Sequence, residues 1–199
     1  MNYLRTKISG FTLVEVMVTA TIFAIIAALA IPTISEWTGK SKVRADAEAL
    51  QNGIRFAKNT ALKRNQPVEF SLVNSTTAPV VNSVAVDDGA AWVVRDVPRF
   101  TETATVLQVG AFSQGGIQPK GNDNKTLVFG GLGQVYTDIP NGSALGPFLL
   151  TTRAYRVASS EDKYPLCVLV KPSGRTKLCD PYIMAGDRSC PGSATQSCL

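Results

Sequence analysis

The sequence predicts an α+β chain, in which one long N-terminal helix, its first half apolar enough to cross a membrane, is followed by an antiparallel β-sheet domain. Three observations carry this expectation. An apolar run extends from Phe11 to Ile31 with a single ionisable residue, Glu15. Apolar residues then recur at Val43, Ala47, Leu50, Ile54, Ala57 and Ala61, the spacing of one helical stripe. From Pro67 onward, short runs alternate apolar with polar residues and are separated by turn residues, the pattern of strands in a sheet.

The first ten residues hold Arg5 and Lys7 and end on Ser9-Gly10, a short basic leader. Positive charge stays on the cytoplasmic side, so the chain after it is directed outward. As a helix, Phe11–Ile31 would span ~30 Å, about the thickness of a bilayer's hydrocarbon core. An ordinary signal peptide, cut near Ala28-Leu29-Ala30, fits poorly, because its apolar core is shorter and carries no carboxylate. Burying Glu15 in lipid costs a few kcal/mol or more, which calls for a partner charge.

After Pro32 the helix becomes amphipathic and continues as one rod, bent near that proline, which removes a helical hydrogen bond and crowds the preceding turn. Ser41, Lys42, Arg44, Asp46, Glu48, Arg55 and Lys58 fall outside the apolar stripe and are expected on its surface. Lys63 and Arg64 suit a helix C-terminus, and Asn65 and Pro67 end it. The stripe is expected to form the core with the β-domain, and the remaining faces are free to contact another protein. Strands are expected around Val68–Leu72, Trp92–Val94, Thr105–Phe112, Thr126–Phe129, Gln134–Tyr136, Phe148–Val157 and Leu166–Val170. Asp87-Asp88-Gly89 reads as a hairpin turn joining Val84–Val86 to Trp92–Val94, and Gly130-Gly131-Leu132-Gly133 as a second turn.

Composition narrows the function classes. The formal charge of +5 includes Arg5 and Lys7, which leaves little excess for nucleic acid on charge alone. With no histidine in the chain, the common triads and histidine metal sites are excluded. The paired carboxylates Asp87-Asp88 read as a turn, and the glycine-rich turn lacks the G-K-[ST] and helix of a phosphate loop. No catalytic residue, cofactor or metal is therefore expected. The competing class, an exported membrane-anchored enzyme, predicts an activity that survives loss of the anchor.

Cys167, Cys179, Cys190 and Cys198 are an even number in an exported chain, which suggests two disulfides. Zinc is the alternative, but no C-x-x-C pair is present. Of the three possible pairings, Cys167 with Cys179 and Cys190 with Cys198 is favoured, because sequential pairs close short loops.

Gly10-Phe11-Thr12-Leu13-Val14-Glu15, at a basic-to-apolar junction, resembles the processing site of type IV prepilins and type II secretion pseudopilins. The resemblance implies that prepilin peptidase cuts after Gly10, that Phe11 becomes a methylated N-terminus, and that Glu15 pairs in the filament with a neighbour's N-terminal amine. It implies the type IV pilin fold, with residues 1–10 as leader, 11–65 as the long helix (11–31 transmembrane, 32–65 amphipathic) and 66–199 as a β-rich domain with a disulfide-linked C-terminal region. Thr126–Phe129 with Gly133-Gln134-Val135, and Lys171–Cys179, resemble strands of the GspH/FimT group of minor pilins and pseudopilins. That resemblance implies a minor pilin of the pilus tip or initiation complex, with the equivalent type II secretion pseudopilin as alternative. Its expected partners are other minor pilins and the major pilin (or pseudopilins), the peptidase and the inner membrane, with the β-domain periplasmic. Some members bind DNA through a C-terminal G-R-x-R patch. Here Gly174-Arg175-Thr176-Lys177 ends on lysine, which keeps the charge but not the planar fork. Lys171, Arg175 and Lys177 are thus candidate double-stranded DNA contacts, to be weighed against a solvated strand end pinned by Cys179.

Overall fold

The computed structural model describes residues 10–74, 84–86, 89–97, 104–113, 118–121, 126–136, 152–159, 163–183, 186–190 and 198. The chain divides into two compact units, Met1–Thr38 and Gly39–Leu199. The architecture is the α+β plan the sequence predicts: helix α1 (Leu13–Arg64) followed, among the described residues, by nine short strands in two antiparallel sheets.

Within the first unit, α1 starts at a cap that the apolar pattern had concealed. The Glu15 backbone N–H donates to Thr12 Oγ1 at 3.2 Å, so Thr12 and Glu15 occupy the positions of a T-x-x-E capping signature. The large apolar side chains that follow are exposed, Leu13 at 75% and Leu29 at 73% among them, so this unit does not bury them itself. Among the described residues no single helix is long and apolar enough to cross a membrane; the pair Leu13–Leu29 and Ile34–Arg64 passes by length and composition, across a break where Pro32 stands.

In the second unit the predicted stripe is the core face of α1. Val43, Ala47, Leu50, Ile54, Ala57 and Ala61 are all 0% exposed. The helix ends where predicted: Asn65 adopts the left-handed conformation (φ 49°) and the Gln66 N–H donates to Ala61 O, the six-to-one bond of a Schellman cap. One polar residue departs from expectation. Asp46, assigned to the surface by the stripe, is buried, and its carboxylate accepts from the Ser113 N–H and pairs with Ser113 Oγ, both at 2.8 Å. Those bonds compensate only part of the cost of burial, which pushes the carboxyl above its usual range.

The first sheet has the order β3-β2-β1-β5-β6, built from β1 (Val68–Val73), β2 (Ala91–Asp96), β3 (Val106–Ala111), β5 (Thr126–Phe129) and β6 (Val135–Tyr136). The second has β4 (Gln118–Gly121), β7 (Arg153–Ala158), β8 (Leu166–Val170) and β9 (Thr176–Cys179) in the order β4-β7-β8-β9. Strand alternation sends Val68, Phe70, Leu72, Trp92, Val94, Leu127 and Phe129 from the first sheet, and Tyr155, Val157, Val168 and Val170 from the second, into one core with the helix stripe. Trp92 stacks on Phe70 at 5.9 Å. Its indole lies between Gly53 of the helix, where a Cβ would crowd it, and Gly110 of β3, where a Cβ would collide with it.

Two local expectations change. Trp92–Val94 does not pair with Val84–Val86: β2 lies between β1 and β3, and Ala85 makes only an isolated bridge to Val73. Each edge of β2 is already taken by a longer ladder; Asp87 and Asp88 lie outside the described residues. Strand β4 is the other surprise, because Pro119 within four residues gives no strand pattern to read. Of the run expected over Phe148–Val157, residues 148–151 lie outside the described residues, and β7 begins at Arg153.

Candidate functional site

Gly10 and Phe11 form the N-terminal junction. Both precede the first helical turn and are exposed, Phe11 at 84%. Capping by Thr12 fixes where the helix starts, so the peptide bond between Gly10 and Phe11 lies outside the helical hydrogen bonding. Glu15 sits in the first turn of α1, exposed, four residues after Phe11. A carboxylate there is favoured by the partial positive charge of the helix N-terminus.

The β8–β9 turn forms a second feature. Lys171 O accepts from the Gly174 N–H at 2.8 Å, and the Lys171 N–H donates to Arg175 O at 2.9 Å. Gly174 has φ 70° and lies against Gly133 O and the Lys58 stem, so the turn demands glycine twice over, by conformation and by space. The helix holds this turn from the other side: Lys58 Nζ donates to Ser173 O at 3.1 Å and Arg55 Nε to Thr176 Oγ1 at 3.0 Å. The three predicted cations are consequently divided. Lys171 and Arg175 are exposed on the turn, whereas Lys177 is half-buried and donates to Ser189 O at 2.9 Å. Arg55 and Lys58, which sequence reading left as ordinary helix surface, join Lys171 and Arg175 instead.

The cysteines form a third feature, and here the favoured pairing is wrong. The bonds are Cys167–Cys198 and Cys179–Cys190. Cys167 and Cys179 are direct cross-strand partners on β8 and β9, with side chains on one face of the sheet. Each is bonded to a cysteine from the segment after β9, so both disulfides tie that segment to the sheet. Loop length favoured the nearest partners in sequence; the segment lying on the cysteine face of the sheet decides otherwise. The Sγ atoms of Cys167, Cys179 and Cys190 lie within 4.8 Å of one another, close enough for a metal site that no spacing signalled. With every sulfur in a disulfide, no thiolate is left to ligate one.

Comparison with known families decides the identity. The family profile described as "Type II transport protein GspH" matches residues 46–174, and the profile described as "Prokaryotic N-terminal methylation motif" matches residues 5–31. The chain belongs to the GspH family. Among solved structures, a crystal structure of the type IV minor pilin FimU from Pseudomonas aeruginosa (strain PAO1) superposes with a TM-score of 0.54 at 16% identity, covering 82% of this chain and 99% of that one. FimU in a second crystal form gives 0.51 at 15% identity, covering 78% and 99%. No curated protein sequence matches. At these identities the likeness establishes the fold, a long N-terminal helix with antiparallel sheets.

For a GspH-family chain, the site features fall into place at a coarse level. Pilin-type proteins are structural, are processed by prepilin peptidase at the methylation motif, and assemble with other pilins. That motif implies membrane anchorage, followed by exposure in the periplasm or in a filament. The GspH match also runs through β1 to the turn at Gly174, and includes both helical cations of the basic surface.

Proposed function

We propose that this chain is a minor type IV pilin, a subunit of the pilus tip or initiation complex needed for pilus biogenesis. Residues 1–10 are its leader, prepilin peptidase cuts after Gly10, and Phe11 is N-methylated. The apolar front of the helix, residues 11–31, then anchors the subunit by a single pass in the inner membrane, with the β-domain periplasmic, until it joins the filament. The observation that carries the reading is the exposed Gly10–Phe11 junction, one turn before Glu15 and in front of apolar side chains that their own unit leaves uncovered. Within a filament, Glu15 and a neighbour's N-terminal amine offset each other's desolvation. The likeness to FimU supports the pilus side. Co-expression with prepilin peptidase followed by intact mass tests the reading: the expected product starts at methylated Phe11, and a product retaining residues 1–10 refutes it.

The GspH profile favours a second reading, the equivalent minor pseudopilin of a type II secretion system. Deletion of the gene separates the two, by loss of pili or by loss of secretion.

Double-stranded DNA capture during uptake is a further part of the proposal. The cations that could meet phosphates are Lys171 and Arg175 on the turn, with Arg55 and Lys58 beside them on the helix, while Lys177 is committed to Ser189 O. Such a surface gives salt-sensitive, sequence-independent binding. In anisotropy with duplex DNA at low salt, Lys171→Ala with Arg175→Ala should abolish most binding, and Lys177→Ala should lower it less.

A further inference from the structure

A cleft of about 300 Å³ opens in the second unit between the helix and one end of the disulfide-tied sheet, where β8 begins and β9 finishes. Lys40 and Arg44 line it from α1, one turn apart; Tyr164 and Pro165 line it before β8, and Asp180 and Tyr182 after β9. Nothing in the DNA surface or the processing junction uses these residues.

Its parts are fixed in place before any ligand arrives. Lys40 Nζ sits 4.7 Å from the centre of the Tyr164 ring. Tyr164 holds φ at 56°, a left-handed backbone that a bulky side chain adopts only where its surroundings enforce it. Asp180 Oδ1 accepts from the Tyr182 N–H at 2.9 Å, and the Asp180 N–H donates to Arg188 O at 2.8 Å. The neighbouring residues Cys167 and Cys179 are both in disulfides, which lock the strand ends that present the walls.

The electrostatic balance is uneven. Arg44 Nε pairs with Glu48 on the exposed side of the helix, and among the described residues Lys40 makes no ion pair. Among the described lining residues Asp180 is the one carboxylate; one of its oxygens accepts from the Tyr182 backbone amide, and its charge offsets one of the two cations. Lys40, the Arg44 guanidinium with its Nε on Glu48, the Asp180 carboxylate and two phenol rings thus line a space sized for one or two side chains, with one positive charge in excess among the lining residues. Such a lining suits a carboxylate carried on an extended chain, its charge between Lys40 and Arg44 and its backbone against the tyrosines.

We propose that this cleft receives an acidic segment, bearing an aspartate or glutamate, from a neighbouring pilin-type subunit, and that Lys40 and Arg44 select it. The inference rests on the assembly reading above. The test uses the full chain in cells that make the assembly, with Tyr182 replaced by the photocrosslinker p-benzoylphenylalanine. Irradiation is expected to join it to a peptide of another pilin-type subunit that contains Asp or Glu. Lys40→Glu with Arg44→Glu should reduce that product and the chain's share of the sheared filament fraction at least tenfold, without lowering Tm, and Lys40→Arg should restore both when Arg44 is intact. Crosslinks to lipid, to a peptide without an acid, or to nothing overturn the proposal, as does a product unchanged by charge reversal. A wild-type chain absent from every filament fraction overturns the assembly reading and this one together, whereas its presence with any of the preceding results overturns this one alone.

Discussion

Removing the two disulfides separately gives unequal losses that depend on which cysteines are joined. In the chain-entropy treatment a crosslink stabilises by 298 K multiplied by about 2.1 plus 1.5R ln n cal/mol/K, where n is the loop length. Cys167–Cys198 spans a sequence separation of 31 and Cys179–Cys190 one of 11. These give about 3.7 and about 2.8 kcal/mol respectively, a difference of about 0.9 kcal/mol. Cys167→Ala with Cys198→Ala should therefore cost more than Cys179→Ala with Cys190→Ala, measured by denaturant unfolding of the full chain in detergent. Single variants sharpen the assay. In Cys198→Ala the unpaired thiol should be Cys167, with Cys179–Cys190 intact on non-reducing peptide mapping. A free thiol at Cys190 instead, or two paired deletions of equal cost, refutes the reasoning.

Three other perturbations probe different levels of the structure. Gly174→Ala forces a side chain into a φ of 70° and against Gly133 O, and should destabilise by about 1–3 kcal/mol, visible as a lowered Tm; an unchanged Tm would mean the turn does not dock as described. Asp46 has a carboxyl raised by burial, so its favourable contribution is present below the unfolded value and is lost as pH rises through the raised one. Asp46→Asn keeps both Ser113 partners, so its Tm should gain on the wild type as pH increases from 3.5 to 7; a gap that stays constant or narrows contradicts this. Glu15→Ala should still be cleaved after Gly10, because the Thr12 cap uses the backbone of residue 15, yet should join filaments poorly; assembly at the wild-type level would refute the pairing with a neighbour's amine.

What the sequence disclosed and what it hid follow from the range of the interactions involved. The stripe from Val43 to Ala61 was legible to the residue, because helical burial repeats with a fixed period. So were the helix stop at Asn65 and the turn at Gly130–Gly133, which depend on local backbone chemistry. Asp46 was misplaced because its partner, Ser113, is 67 residues away and no local pattern announces it. Still longer separations, 121 and 115 residues, concealed the roles of Arg55 and Lys58, whose partners Thr176 and Ser173 arrive with the last hairpin. The T-x-x-E cap at Thr12 is local, written in four consecutive residues at the head of the apolar run. The cysteine pairing required knowing which face of the sheet the segment after β9 covers, and the sequence carries no periodic record of that.

That pairing bears on how the protein is made. Cys167 and Cys179 emerge first during export and, once β8 and β9 pair, stand opposite each other, yet they are not bonded to one another. Cys198, the proper partner of Cys167, follows last of the four. An oxidant acting on cysteines in order of appearance would join the wrong two and leave the C-terminal segment untied. Attack by the Cys190 thiolate on a Cys167–Cys179 bond would release Cys167 for Cys198, and the sulfurs are near enough for that exchange. Yield in the cell should therefore depend on a disulfide isomerase as well as on an oxidase.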